Sequence, residues 1–327
     1  FHTSLWGHLG LLGLNDHFLL PDHAAYPNTA AASPYPGNSV VADLTHEQRG
    51  LVGYVHPFDT LPDPATEESL ANSLPVDVAL GKVDYYEVVG FSDHKISAEV
   101  WHRLMNCGFR ISAGAGTDAM ANFASLRGPV GLNRVYARLP GRADNPVAQQ
   151  QRWLTALKAG HTFATNGPLL QFAVEGKGPG ETVPVPEGYR SLKFQGMFRS
   201  IVPIQHLQIL VNGAVVKELE TGPNGMGADF SGTVDVEGGG WVLLRAYSDD
   251  NALEIFDLYP YATTTPVWLE DAGKSTAGKC DSGYFFAWLD RIHAVVENHA
   301  DYNTDAERKR LLSDVEQARQ VYQKLAQ

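Results

Sequence analysis

The chain reads as an α/β protein, and three observations carry that reading. Short apolar runs ending in polar residues alternate with helical patterns through the first half. A block of strand-like segments separated by Gly, Asn and Pro follows Gly167-Pro168, and helical periodicity returns from Tyr284 to Gln327. Strands alternating with helices indicate βαβ units and a parallel sheet, whereas closely spaced strands with tight turns indicate an antiparallel one.

Residues 1–50 are loop-rich, with many His, Pro and Ala. Three buried strands are expected next: Leu51–Val55 running into His56-Pro57, Val83–Val89 running into Gly90 and Asp93-His94, and Phe109–Ala113 running through Gly-rich sequence into Thr117-Asp118. Between the last two, Ser97–Cys107 places Val100, Leu104 and Cys107 on one helical face, with Gly108 as a stop. Pro146–Lys158 is a second helix, with Trp153, Leu154 and Leu157 apolar and Gly160 beyond its end. In the β block the runs are Leu192–Phe198, Ile204–Val211, Val215–Leu219 and Trp241–Tyr247, and Asn212-Gly213 is a hairpin signal. The last stretch is helical in two pieces joined near Asn298–Thr304.

Composition narrows the function classes. The 327 residues carry a net charge of −12 and are 44% hydrophobic, with no apolar run long enough for a membrane helix. Nucleic acid and anionic membrane surfaces call for a basic footprint that this chain lacks. Cys107 and Cys280 cannot build a disulfide framework or a Cys-rich zinc site; one bridge is open to them, but nothing in the sequence requires it. Ser4, Ser92 and Ser112 are not framed as G-x-S-x-G, and Gly114-Ala115-Gly116 lacks phosphate-loop spacing. There are twelve His, most of them early in the chain.

In a barrel of parallel strands, working residues stand where strands end. His56, Glu87 or Asp93-His94, Asp118 and Asn166 all lie at or just past the ends of expected strands, and His8 precedes the apolar Leu9–Leu14 run. Imidazole and carboxylate delivered to one rim make a donor set for Zn, Mn or Fe. His2, His17, His23 and His46 lie in polar stretches and read as surface or loop residues. His102 falls within a helix, and His206, His293 and His299 are remote in chain order.

The ordered motifs say more than the spacing. Gly53-Tyr54-Val55-His56-Pro57, Gly116-Thr117-Asp118 and Gly160-His161-Thr162-Phe163-Ala164-Thr165-Asn166-Gly167-Pro168 resemble the PHP (polymerase and histidinol phosphatase) metallohydrolases. Trp6-Gly7-His8-Leu9 and Gly128-Pro129-Val130-Gly131 make the chain most similar to the CehA/McbA, carbaryl hydrolase-like, branch. The resemblance implies the C-terminal part of a distorted (β/α)7 barrel over residues 1–167, then an antiparallel β-sandwich-like domain over 168–268 and a helical C-terminal segment over 269–327.

It also implies a cluster of divalent ions (Zn, Mn or Fe) in which His8 and His56 share one metal and Asp118 holds its neighbour. Many such proteins carry a His where this chain has Met120, so two metals are implied rather than three. The family's His-x-His strand and bridging Glu fall upstream of Phe1, so Phe1 is not expected to be the natural start, and this stretch alone is expected to be inactive. The implied activity is hydrolysis of a small-molecule phosphoester or carbamate/carboxyl ester by a metal-activated water. Asp93 or His94 is the candidate for proton transfer; Asn166 is either a substrate-orienting group or a structural turn residue. A periplasmic or secreted location is favoured over the cytoplasm. The competing expectation is a non-catalytic ligand- or protein-binding module built on an incomplete barrel.

Overall fold

A computed structural model describes the chain apart from residues 17, 18, 20, 121–127, 187, 272–279 and 327; His17 is therefore outside the described residues. The first half contains β1 (His2–Thr3), β2 (Leu9–Leu12), β3 (His23–Ala24), α1 (Asn38–Glu47), β4 (Leu51–Tyr54), α2 (Leu74–Ala79), β5 (Tyr85–Val89), α3 (His94–Asn106), β6 (Ser112–Ala115), β7 (Arg134–Ala137), α4 (Pro146–Lys158) and β8 (Thr162–Thr165). The β block contains β9 (Leu169–Val174), β10 (Thr182–Val185), β11 (Tyr189–Arg199), β12 (His206–Val211), β13 (Ala214–Leu219), β14 (Gly227–Glu237), β15 (Gly240–Tyr247), β16 (Tyr261–Thr264) and β17 (Val267–Asp271). Two helices close the chain, α5 (Ser282–Asn298) and α6 (Asp305–Leu325).

The result is a mixed α/β architecture in which a curled half-barrel sheet carries several helices. That sheet has the order β2-β4-β5-β6. Strands β4, β5 and β6 are parallel, as the βαβ pattern predicts, whereas β2 pairs antiparallel with β4, Leu9 facing Tyr54. Helix α4 has the bounds its sequence predicts, because Asn145 caps it through Ala148 N at 2.8 Å and Pro146 occupies the first turn, where a missing N–H costs nothing. In the β12–β13 hairpin, Asn212 and Gly213 both have positive φ (52° and 90°), as the tight turn demands.

The larger sheet runs β10-β17-β15-β16-β8-β7, with β12 also paired to β15 and β13 to β12. A three-stranded antiparallel sheet, β14-β11-β9, completes the β block. Strands β7 and β8, read from sequence as part of the barrel, belong to the larger sheet: β8 pairs antiparallel with β16 and β7. Sheet hydrogen bonding therefore runs across the expected boundary at residue 167. Threonine hydroxyls stitch β6 to this sheet: Thr162 Oγ1 donates to Ala113 O at 2.9 Å, and Ala113 N donates to Thr265 Oγ1 at 2.9 Å.

Strand β15 explains how the sheet serves both halves. Successive side chains point to opposite faces. Trp241 and Leu243 enter the core shared with β4, β5 and α3, while Val242, Leu244 and Ala246 enter the core of the β sandwich. Both faces are covered, so the run Trp241–Tyr247 reads as almost continuously apolar.

The closing helices are not a separate unit. Phe285, Trp288, Leu289, Ile292 and Val296 of α5, with Leu311, Val315, Ala318 and Tyr322 of α6, join the first core. A Cys107–Cys280 disulfide links the end of α3 to the approach to α5. Beneath these helices, buried Asp77 accepts from Tyr54 Oη at 2.5 Å and Ser73 Oγ at 2.7 Å through one carboxylate oxygen. Its other oxygen has no hydrogen-bond partner among the described residues. Burial pushes the Asp77 carboxyl up to about 7, with the nearby Asp314 charge adding to the rise and the Tyr54 and Ser73 hydroxyls opposing it.

Candidate functional site

Strand direction brings the first two candidates together. β4 delivers His56 just past its C-terminal end. Because β2 runs the opposite way, the residue before its first position reaches the same rim, and Val55 N donates to His8 O at 3.2 Å. The imidazoles meet edge to face, with His8 Nδ1 and His56 Nε2 3.2 Å apart. Asp118, three residues past β6, places Oδ2 3.9 Å from His56 Nε2. Three groups separated by up to 110 residues thus converge at one end of parallel strands.

Both His56 and Asp118 have left-handed backbone, with φ of 34° and 56°. Non-glycine residues there are uncommon and need support from their surroundings. Glu87 supplies it for His56: its Oε2 accepts the His56 backbone N–H at 3.0 Å. For the Asp118 turn, Thr117 Oγ1 accepts from Asn133 N at 3.0 Å, and Asn133 Nδ2 donates to Gly90 O and Gly116 O at 3.0 and 3.2 Å. Asn133 thereby ties together the two turns that follow β5 and β6.

The electrostatics keep the His8 lone pair available. Burial lowers the pKa of His8 to about 4, with His2 and His56 adding to the fall. Glu87 is raised to about 7, chiefly by burial, partly offset by the His56 N–H and reinforced by Asp118. Imidazole nitrogens beside carboxylate oxygens are the kind of donor set that accepts a divalent ion. Among the described residues, however, no three His, Cys, Asp or Glu side chains form a finished ligand group.

The remaining sequence candidates have local tasks. Asp93 caps α3, its carboxylate accepting from Ile96 N at 2.8 Å. His94, the first residue of that helix, is buried beside Tyr259 and Tyr261, with Nε2 on Gly90 O at 3.1 Å. Burial holds its pKa down to about 4. Asn166 is 2% exposed and binds the backbone of β16's approach at both ends of its amide, donating to Tyr259 O at 2.9 Å and accepting from Tyr261 N at 2.7 Å. Of its two sequence readings, the turn is the one these contacts describe.

One site residue was missed in sequence. His2, read as a surface or loop residue, lies against His8 with tilted rings whose centroids are 3.7 Å apart, where backbone bonds between Phe1 and Leu9 join the start of β1 to β2. No local signal marks it. Glu87, read in sequence as an alternative to Asp93-His94 on the rim, carries its own signal, a carboxylate inside the apolar run Tyr85–Val89. His46 is structural, 2.8 Å from Asp84 Oδ2, and His23 pairs with Asp22 near the surface.

Comparison with known proteins returns nothing: no family model matches the chain, and no match is found among curated proteins or solved structures.

Proposed function

We propose that this chain carries part of the metal centre of a PHP-type hydrolase, of the CehA/McbA kind, that cleaves small-molecule phosphoesters or carbamate/carboxyl esters. The observation that carries the reading is the 3.2 Å approach of His8 Nδ1 to His56 Nε2, with Asp118 Oδ2 3.9 Å from the same nitrogen. Two nitrogens each about 2.0–2.1 Å from one tetrahedral zinc stand roughly 3.4 Å apart, so the imidazole pair suits a shared ion. Asp118 is offset towards a neighbouring position, in keeping with its expected place on the second of two ions. The residues present therefore fit the group as a partial ligand set.

A divalent ion bound there supplies Lewis acidity towards the scissile carbonyl or phosphoryl oxygen and towards water. The chain's own residues do the rest. His8, held neutral by burial, presents a lone pair rather than a proton. The His56 backbone is locked by Glu87, so its ring keeps one orientation. Asn133 holds the Asp118 turn in register with the turn after β5. The Cys107–Cys280 bridge supports an oxidising compartment, periplasmic or extracellular. Among the described residues no helix is long and apolar enough to cross a membrane.

The test is metal analysis of the intact gene product purified without chelators, followed by assays of an aryl phosphate and an aryl carbamate with added Zn, Mn or Fe. Bound metal and metal-dependent turnover of one ester class are expected. Absence of both would defeat the hydrolase reading and leave a binding module.

A further inference from the structure

Glu87 is a buried acid in the middle of an apolar strand, placed between the two left-handed turns of the site. Its Oε2 accepts the His56 N–H at 3.0 Å. Its Oε1 lies against the Gly116 backbone so closely that a Cβ added there would stand 2.2 Å from it. On the other side, a Cβ on Gly90 would stand 3.0 Å from the His56 Cα and 3.1 Å from Glu87 Oε2. Two glycines, Gly90 just past the end of its own strand and Gly116 just past the end of the neighbouring β6, thus leave room for this one carboxylate. A parallel register that sets Glu87 opposite Gly114 carries it directly under the Gly116-Thr117-Asp118 turn.

We infer that Glu87 is the positioning residue of the site: bridging the His56 turn and the Gly116 turn, it sets the separation between the His56 ring and the Asp118 carboxylate. An apolar side chain at this position would pack equally well but would leave the His56 N–H unpartnered and its φ of 34° unsupported. Outer groups that orient metal ligands typically change metal affinity about 10–100-fold when removed. The consequence for metal binding rests on the proposed hydrolase reading; the consequence for backbone geometry does not.

The experiment compares wild type with Glu87→Gln, which keeps an acceptor oxygen, and Glu87→Ala, which does not. Glu87→Val, matched to the apolar strand, replaces the Ala variant if that fails to fold, and Gly116→Ala displaces the carboxylate without removing it. Two readouts are taken: Co(II) binding followed by its visible absorption, and hydrogen exchange of the His56 amide. Glu87→Ala (or Val) and Gly116→Ala should weaken Co(II) about 10–100-fold and speed His56 exchange, while Glu87→Gln stays within about threefold of wild type in both. Wild-type behaviour of Glu87→Ala in both readouts would overturn the inference. So would a Glu87→Gln as impaired as Glu87→Ala, which would assign the effect to charge. If wild type itself binds no Co(II), the hydrolase reading fails, and the exchange comparison alone decides the role of Glu87.

Discussion

The buried Asp77 should make this protein progressively less stable between mildly acidic and neutral pH, and Asp77→Asn should remove that dependence. Burial raises the folded-state pKa from 3.8 to about 7. An acid with a raised folded pKa binds its proton more tightly folded than unfolded. Its contribution is fully present below 3.8, where both states are protonated. Above that the unfolded chain releases its proton while the folded one keeps it, so stability falls until the folded group also ionises near pH 7. At about 1.4 kcal/mol per pKa unit, a rise of roughly three units amounts to about 4 kcal/mol. Denaturant titrations of both proteins at several pH values from 4 to 8 measure it. Apart from Asp314, whose charge is coupled to Asp77, the other carboxylates are common to the two proteins, so the difference between the curves centres on Asp77. That difference should move by about 4 kcal/mol in favour of the variant as pH rises. Parallel curves would refute the reasoning and would mean that Asp77 is solvated or compensated in the folded state.

Other perturbations address the remaining features. Cys280→Ser opens a loop spanning 173 residues of sequence separation and should cost up to about 5 kcal/mol on the chain-entropy account, read by guanidinium unfolding against wild type with and without reductant; a loss under about 1 kcal/mol would sink it. Asn166→Ala strips partners from Tyr261 N and Tyr259 O and should cost about 1–3 kcal/mol of stability, visible as a lowered Tm, with any activity loss explained by the unfolded fraction. His56→Ala and Asp118→Ala should abolish metal-dependent turnover in the intact gene product while circular dichroism stays native, whereas Met120→Ala, at an exposed position, should leave turnover near wild type; a fully active His56→Ala would disprove the ligand assignment.

Much of the fold was legible because its signals are local. The α4 bounds follow from Asn145, Pro146 and Gly160, and the β12–β13 hairpin from Asn212-Gly213. What escaped is what only long-range pairing decides. Strands β7 and β8 carry no mark of which sheet they join; that is decided by β8 pairing with the distant β16, Thr165 facing Ala262, and β7 pairing with β8. The direction of β2 is equally silent, yet it is what brings His8 to the end of β4. At the site, strand-end residues His56 and Asp118 were readable because parallel strands put them on one rim. His2 was not, since its neighbour His8 is reached through the backbone bonds between Phe1 and Leu9. Asp93 was read as a candidate for proton transfer and Asn166 as either a substrate-orienting or a turn residue; the structure adds that Asp93 caps α3 and that Asn166 makes two backbone hydrogen bonds. The cysteine pairing could not be read either, because Cys280 meets Cys107 only through long-range packing of α5 and α6 against the first core.

Strand β15 lends one row of side chains to each hydrophobic interior, so the polypeptide cannot be severed at Gly167 into independently viable halves. A piece ending there would lack Trp241, Leu243 and Tyr261 as the wall behind its own interior, and the complementary piece would display those same side chains to water.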